Sequence, residues 1–155
     1  MGQMSETIFL FLMPLFFARF GTKQMLLIGM AAWIIRYALF AYGDAGPNIW
    51  MLYLGIILHG ICYDFFFVTG QIYTDQKAGE RVRSSAQGLI TLATYGIGMY
   101  IGFWLAGNYV DKNALDGGAH NWRSIWIFPC LFAAGVALMF LVLFKNDKKT
   151  TLTGK

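Results

Sequence analysis

Long apolar runs separated by short polar stretches dominate the pattern of this chain. Five runs stand out, at about 3–20, 24–42, 49–73, 85–110 and 122–144. Each approaches the roughly 20 residues needed to cross a hydrocarbon layer. Between them lie 21–23, 43–48, 74–84 and 111–121, each polar or rich in glycine. In lipid every backbone amide must find a partner within its own segment, which selects helices. The runs are also too continuous for the alternating strands of a barrel. The pattern predicts an all-α polytopic membrane protein with about five spans, followed by a polar tail at 145–155.

Composition agrees. Only 13% of residues are charged and 57% are hydrophobic, with a mean hydropathy of +0.54. Soluble domains carry about a quarter charged residues. The net charge of +4 forms no stripe suited to nucleic acid, because the basic residues cluster at the ends of apolar runs. Cys62 and Cys130 lie inside such runs and read as small apolar side chains. Met1 to Glu6 lack the positive flank of a signal peptide.

The basic residues set an expected orientation through the positive-inside rule. One side holds Arg19, Lys23, Lys77, Arg81, Arg83, Lys145, Lys148, Lys149 and Lys155, and the other only Lys112 and Arg123. This predicts a cytoplasmic C-terminus. An odd number of spans then puts Met1 outside, so further helices are expected upstream in a complete protein.

Ionisable side chains at membrane depth are costly and face a bundle interior or a watery cavity. Glu6, Arg36, His59 and Asp64 are the candidates. Counted along their spans, Glu6 and Arg36 fall at similar depth, so a charge pair between neighbouring helices is expected, with Arg36 as the structural partner. Gln3 and Glu6 share a helix face, as do His59 and Tyr63, with Phe67 continuing the second stripe. An amide, a carboxylate, an imidazole and a phenol together suit a polar ring compound. Gly98 and Gly102 have the spacing of a close helix-packing pair. No nucleophile elbow, phosphate-binding loop or metal-spaced Cys/His cluster occurs. No enzyme, metal site or cofactor is expected.

Several ordered motifs carry a resemblance. They are Gly-Gln-Met-Ser-Glu at 2–6, Arg-Phe-Gly at 19–21, Arg36-Tyr37 and the Phe-Ala-Tyr-Gly ending at Gly43. Asp64-Phe65-Phe66 with Gly70, and Arg-Ser-Ser-Ala-Gln-Gly at 83–88, are the most specific. Nearly the whole chain resembles the nucleoside:proton symporters of the major facilitator superfamily. The resemblance implies a twelve-helix fold in two halves around a central cavity, with the five spans here similar to helices eight to twelve. Helices one to seven would then be missing partners.

It further implies that Gln3, Glu6, His59 and Tyr63 bind a nucleoside, with His59 standing where a tyrosine is expected. Glu6 or Asp64 would take up the coupled proton, because removal from water favours the neutral form of a carboxyl group. The expected setting is the lipid of a bacterial inner membrane. Two other readings stay open: transport of another solute such as a sugar or drug, and a small membrane subunit that transports nothing.

Overall fold

The computed structural model describes residues 2–144. The predicted tail at 145–155, with Lys145, Lys148, Lys149 and Lys155, lies outside the described residues. The first two predicted spans form one helical element, α1 (Gly2–Tyr42), broken at Gly21. Gly21 takes φ 72 and ψ 172, a conformation essentially reserved for glycine. Helical rise is about 1.5 Å per residue, so a straight α1 would part Glu6 from Arg36 by about 45 Å. Both side chains instead touch His59. The two arms of α1 therefore fold back on each other at Gly21, and the expected three-residue connection shrinks to one residue.

Helix α2 (Ile49–Tyr63) passes through a wide π-type turn at Asp64–Val68 into α3 (Thr69–Lys77). Helix α4 (Arg83–Thr91) runs through a second wide turn at Leu92–Gly98 into α5 (Met99–Lys112). Helix α6 is Trp122–Leu143. Four elements, Gly2–Tyr42, Ile49–Lys77, Arg83–Lys112 and Trp122–Leu143, are long and apolar enough to cross a membrane. Because α1 is a hairpin, they comprise five helical legs. The third and fourth spans outrun their apolar stretches, so the predicted loop at 74–84 narrows to 78–82. A helix continues while its backbone bonds continue, past the point where its side chains turn polar. Among the described residues the only strand-like pairing is one bridge, Ala114 with His120.

The α2–α3 span packs between the two arms of α1. Met13, Phe17, Met25 and Phe65 form the buried core, with Phe9 and Phe16 against it. Two glycines permit this. A Cβ on Gly60 would stand 2.6 Å from the Glu6 nitrogen and the Ser5 carbonyl carbon. A Cβ on Gly29 would stand 2.9 Å from the Phe66 nitrogen. Among the described residues the expected packing pair at Gly98 and Gly102 meets no second helix: a Cβ on Gly102 would find nothing within 4 Å, and one on Gly98 only Ala93 of its own element.

Helix α6 lies on the second arm, where Trp126 contacts Tyr37 and Phe40 at 5.9 and 5.0 Å between ring centres. The Cys130 thiol donates to the Ile34 carbonyl, and both cysteines are free. The α4–α5 span has no buried residue and exposes Tyr100, Phe103 and Trp104, a surface suited to lipid or to further helices. Its ties are side-chain contacts such as Tyr109 stacked on Phe128, 4.5 Å apart.

The ends of the spans also sort. Lys23 Nζ donates to the Phe144 carbonyl at 2.5 Å, and Phe144 packs against Tyr73. At the opposite end the Arg123 guanidinium covers the Tyr42 ring at 4.7 Å. The hairpin at Gly21, the end of α3 and the end of α6 thus share one end of the bundle.

Candidate functional site

The Gly60 contact brings α2 against the first arm of α1, and the neighbouring residues make the centre of the site. His59 Nε2 lies 2.8 Å from Glu6 Oε1. On the other side of the ring, Arg36 Nη1 donates to His59 Nδ1 at 2.6 Å. The expected direct pairing of Glu6 with Arg36 is therefore corrected: the imidazole stands between them, each charge holding one ring nitrogen. The cause is the hairpin, which places α2 in the seam between the arms. His59 and Glu6 keep 31% and 27% of their side-chain surface open, so the cluster is reachable while mostly withdrawn from solvent.

Arg36 is held by its own helix. Trp33 and Phe40, at i−3 and i+4, present ring faces 5.4 and 5.3 Å from the guanidinium carbon. Such cation–π contacts replace part of the hydration that the buried side gives up. Its Nε is buried without a hydrogen-bond partner among the described residues.

An aromatic row leads away from His59 along α2. Ring centres lie 6.2 Å apart from His59 to Tyr63 and 5.3 Å from Tyr63 to Phe67. The row crosses to the α4–α5 span at Tyr95, 5.5 Å from Phe67, and the Tyr63 and Tyr95 hydroxyls share a 2.6 Å hydrogen bond. Tyr95 was not among the residues singled out from the sequence. Its signal was faint, one tyrosine in a glycine-rich segment whose partner is distant in sequence. Ser5 was also missed: its Oγ accepts from the Gly60 N–H at 3.2 Å and donates to the Gly2 carbonyl at 2.6 Å.

Asp64, next along the chain, stands apart from this row. It is 3% exposed, opens the wide turn at Asp64–Val68, and its Oδ2 is buried with no hydrogen-bond partner among the described residues. Wide turns of this kind are frequent at functional positions. Gln3 lies one turn before Glu6 and is exposed. Gln3, Glu6, His59 and Tyr63 thus lie near one another on two neighbouring helices, and Asp64 adjoins them. A separate open cleft of about 690 Å³, lined by Phe40, Tyr42, Asp44, Leu52, Trp122 and Trp126 among others, contains none of them.

A family profile described as Nucleoside H+ symporter matches residues 1–149. The chain belongs to this family. It is 40% identical to the putative nucleoside transporter YegT of Escherichia coli over 154 residues, covering 95% of this chain and 36% of that protein. It is 33% identical to the nucleoside permease NupG of Escherichia coli, covering 99% of this chain and 37% of NupG. The xanthosine permease of Escherichia coli is 36% identical over 147 residues, which are 94% of this chain and 35% of that protein. The crystal structure of NupG superimposes with a TM-score of 0.87, covering 94% of this chain and 36% of NupG at 33% identity. The chain therefore spans about a third of the length of the curated relatives it matches. As a member of the nucleoside H+ symporter family it is a multi-pass membrane protein of the major facilitator fold, in a family of permeases rather than enzymes.

Proposed function

We propose that this chain forms one wall of a proton-coupled nucleoside permease. The observation that carries this reading is the cluster of Glu6 and His59, 2.8 Å apart and continued by the aromatic row through Tyr63 and Phe67. Hydrogen-bonding groups beside ring faces are what a sugar joined to a flat base requires. The names of the relatives, nucleoside permease and xanthosine permease, point to the same class of solute.

In this reading Gln3 and Glu6 hydrogen-bond the nucleoside, while His59 and Tyr63 line its base. Glu6 or Asp64 is the carboxyl that takes up the coupled proton; the Asp64 Oδ2 is buried with no hydrogen-bond partner among the described residues, and protonation would remove the charge that burial leaves uncompensated. The charge distribution favours a cytoplasmic C-terminus, with 145–155 as a cytoplasmic tail in a bacterial inner membrane. The remaining helices of the transporter supply the facing wall, and rocking of the two walls gives alternating access.

The test is uptake of labelled uridine or adenosine by a complete transporter carrying this segment. Glu6→Gln is expected to lower uptake by about tenfold or more, the usual weight of a charged hydrogen bond, and to flatten its pH dependence. Wild-type uptake with wild-type pH dependence would remove Glu6 from the mechanism. Competition by sugars but not by nucleosides would overturn the substrate class.

A further inference from the structure

His59 bridges two groups of opposite charge, and the chemistry of its neighbours leaves it one protonation state. A guanidinium carries five N–H donors, no acceptor, and does not lose its proton in proteins. Arg36 Nη1 lies 2.6 Å from His59 Nδ1, so Nδ1 must offer its lone pair. A neutral imidazole has one N–H, which therefore sits on Nε2. That nitrogen is 2.8 Å from Glu6 Oε1, an acceptor. A protonated ring would instead set two donors and two positive charges against each other at 2.6 Å.

We propose that Arg36 is a positioning residue that holds His59 as the neutral Nε2–H tautomer, so that the ring donates to Glu6 and meets a substrate with its face alone. Arg36 is not free to withdraw, since Trp33 and Phe40 flank its guanidinium and its Nε is buried. The other titratable groups near the pair are Glu6 from the first arm, Tyr37 beside Arg36 on the second, Cys62 and Tyr63 from the ring's own span, and Tyr95 beyond Tyr63. Among the described residues only Arg36 bonds Nδ1.

Two consequences follow for the proposed transport, on which this part rests. A histidine in a cavity is ordinarily the group that changes charge near neutral pH. Here Arg36 denies it that role, and the ring stays a neutral donor to the Glu6 carboxyl. With both nitrogens committed, His59 has no polar atom left to read a base edge. It contributes stacking, and selectivity falls to Glu6, Gln3 and Tyr63.

The experiment is nitrogen NMR of the full chain, labelled with 15N-histidine in lipid nanodiscs. The chain has two histidines, His59 and His120, and His120→Gln leaves one set of signals. Wild type is expected to show a protonated Nε2 and an unprotonated Nδ1 at neutral pH. Arg36→Lys, also a donor without an acceptor, is expected to keep this pattern. Arg36→Met leaves Nδ1 without its donor while Nε2 still donates to Glu6, so the ring is expected to become imidazolium at mildly acidic pH. A wild-type His59 seen as imidazolium or as the Nδ1–H tautomer overturns the proposal, as does an Arg36→Met spectrum that matches wild type throughout. Should Arg36→Met fail to fold, the wild-type and Arg36→Lys spectra still decide. The spectrum is independent of uptake, so its failure and the failure of the nucleoside assignment are told apart.

Discussion

Gly60 and Ser5 meet backbone to backbone: a Cβ on Gly60 would lie 2.6 Å from the Ser5 carbonyl carbon. The residues beside this contact are His59 and Glu6, so the approach of two backbones sets the distance between the two ring and carboxylate atoms of the candidate site.

Gly60→Ala is expected to force the α1–α2 contact apart at a cost of about 1–3 kcal/mol, the usual cost of an overpacked interior. It should appear as reduced thermal stability in detergent and as weaker uptake by the complete transporter. Gly79→Ala, with nothing within 4 Å of its Cβ position, is the comparison. Equal stability of the two variants would contradict the close approach.

Gly21→Ala tests the hairpin. No neighbour lies within 4 Å of a Cβ there, so any cost comes from the backbone conformation alone. A residue with a Cβ at φ 72 and ψ 172 pays about 1–3 kcal/mol. Denaturation of the purified variant measures it, and an unchanged midpoint would show that the arms turn by another route.

The Tyr63 and Tyr95 hydroxyls are partners, so their effects should not add. Tyr63→Phe and Tyr95→Phe each remove one side of a 2.6 Å bond, worth about 0.5–1.5 kcal/mol net. The double variant is expected to cost little more than the worse single one, because the second change removes nothing still present. A double-mutant cycle with fully additive losses would deny the bond.

Asp44 lies outside the spans, in the turn at 43–48. The Asn48 and Gly46 amides bonded to its carboxyl, together with the Asn48 side chain, hold it below the ordinary aspartate range. A carboxyl lowered in the folded state adds stability above its unfolded pKa and loses it as pH falls through the folded value. The turn should therefore keep its bonds through mildly acidic pH and release them only below the usual aspartate range. Carboxyl-carbon NMR titration reads this directly. An Asp44 that titrates at or above the ordinary value would be incompatible with these bonds.

Much of the architecture is legible in the sequence, since a membrane solvent writes each span as an apolar run and each turn as polar residues or glycine. The pairing of His59 with Tyr63, and of Gln3 with Glu6, follows from helical periodicity within one segment. Trp33, Arg36 and Phe40 also share a face by spacing, and a closer reading of that stripe would have put aromatic rings around the guanidinium. Gly98 and Gly102 show the limit of such patterns: the spacing of a packing pair is present, yet no second backbone comes to it among the described residues.

What the sequence alone determined was therefore local: which segments are helical, which ionisable groups fall inside apolar runs, and which residues share a helix face. The tertiary structure decided the meetings between segments. Glu6, Arg36 and His59 are far apart along the chain, and no periodicity relates them. Only the reversal at Gly21 and the close approach at Gly60 bring them together, because backbone conformation and steric fit set the path of each helix. That geometry, rather than the residue types, turned an expected Glu6–Arg36 pair into a histidine held between two charges.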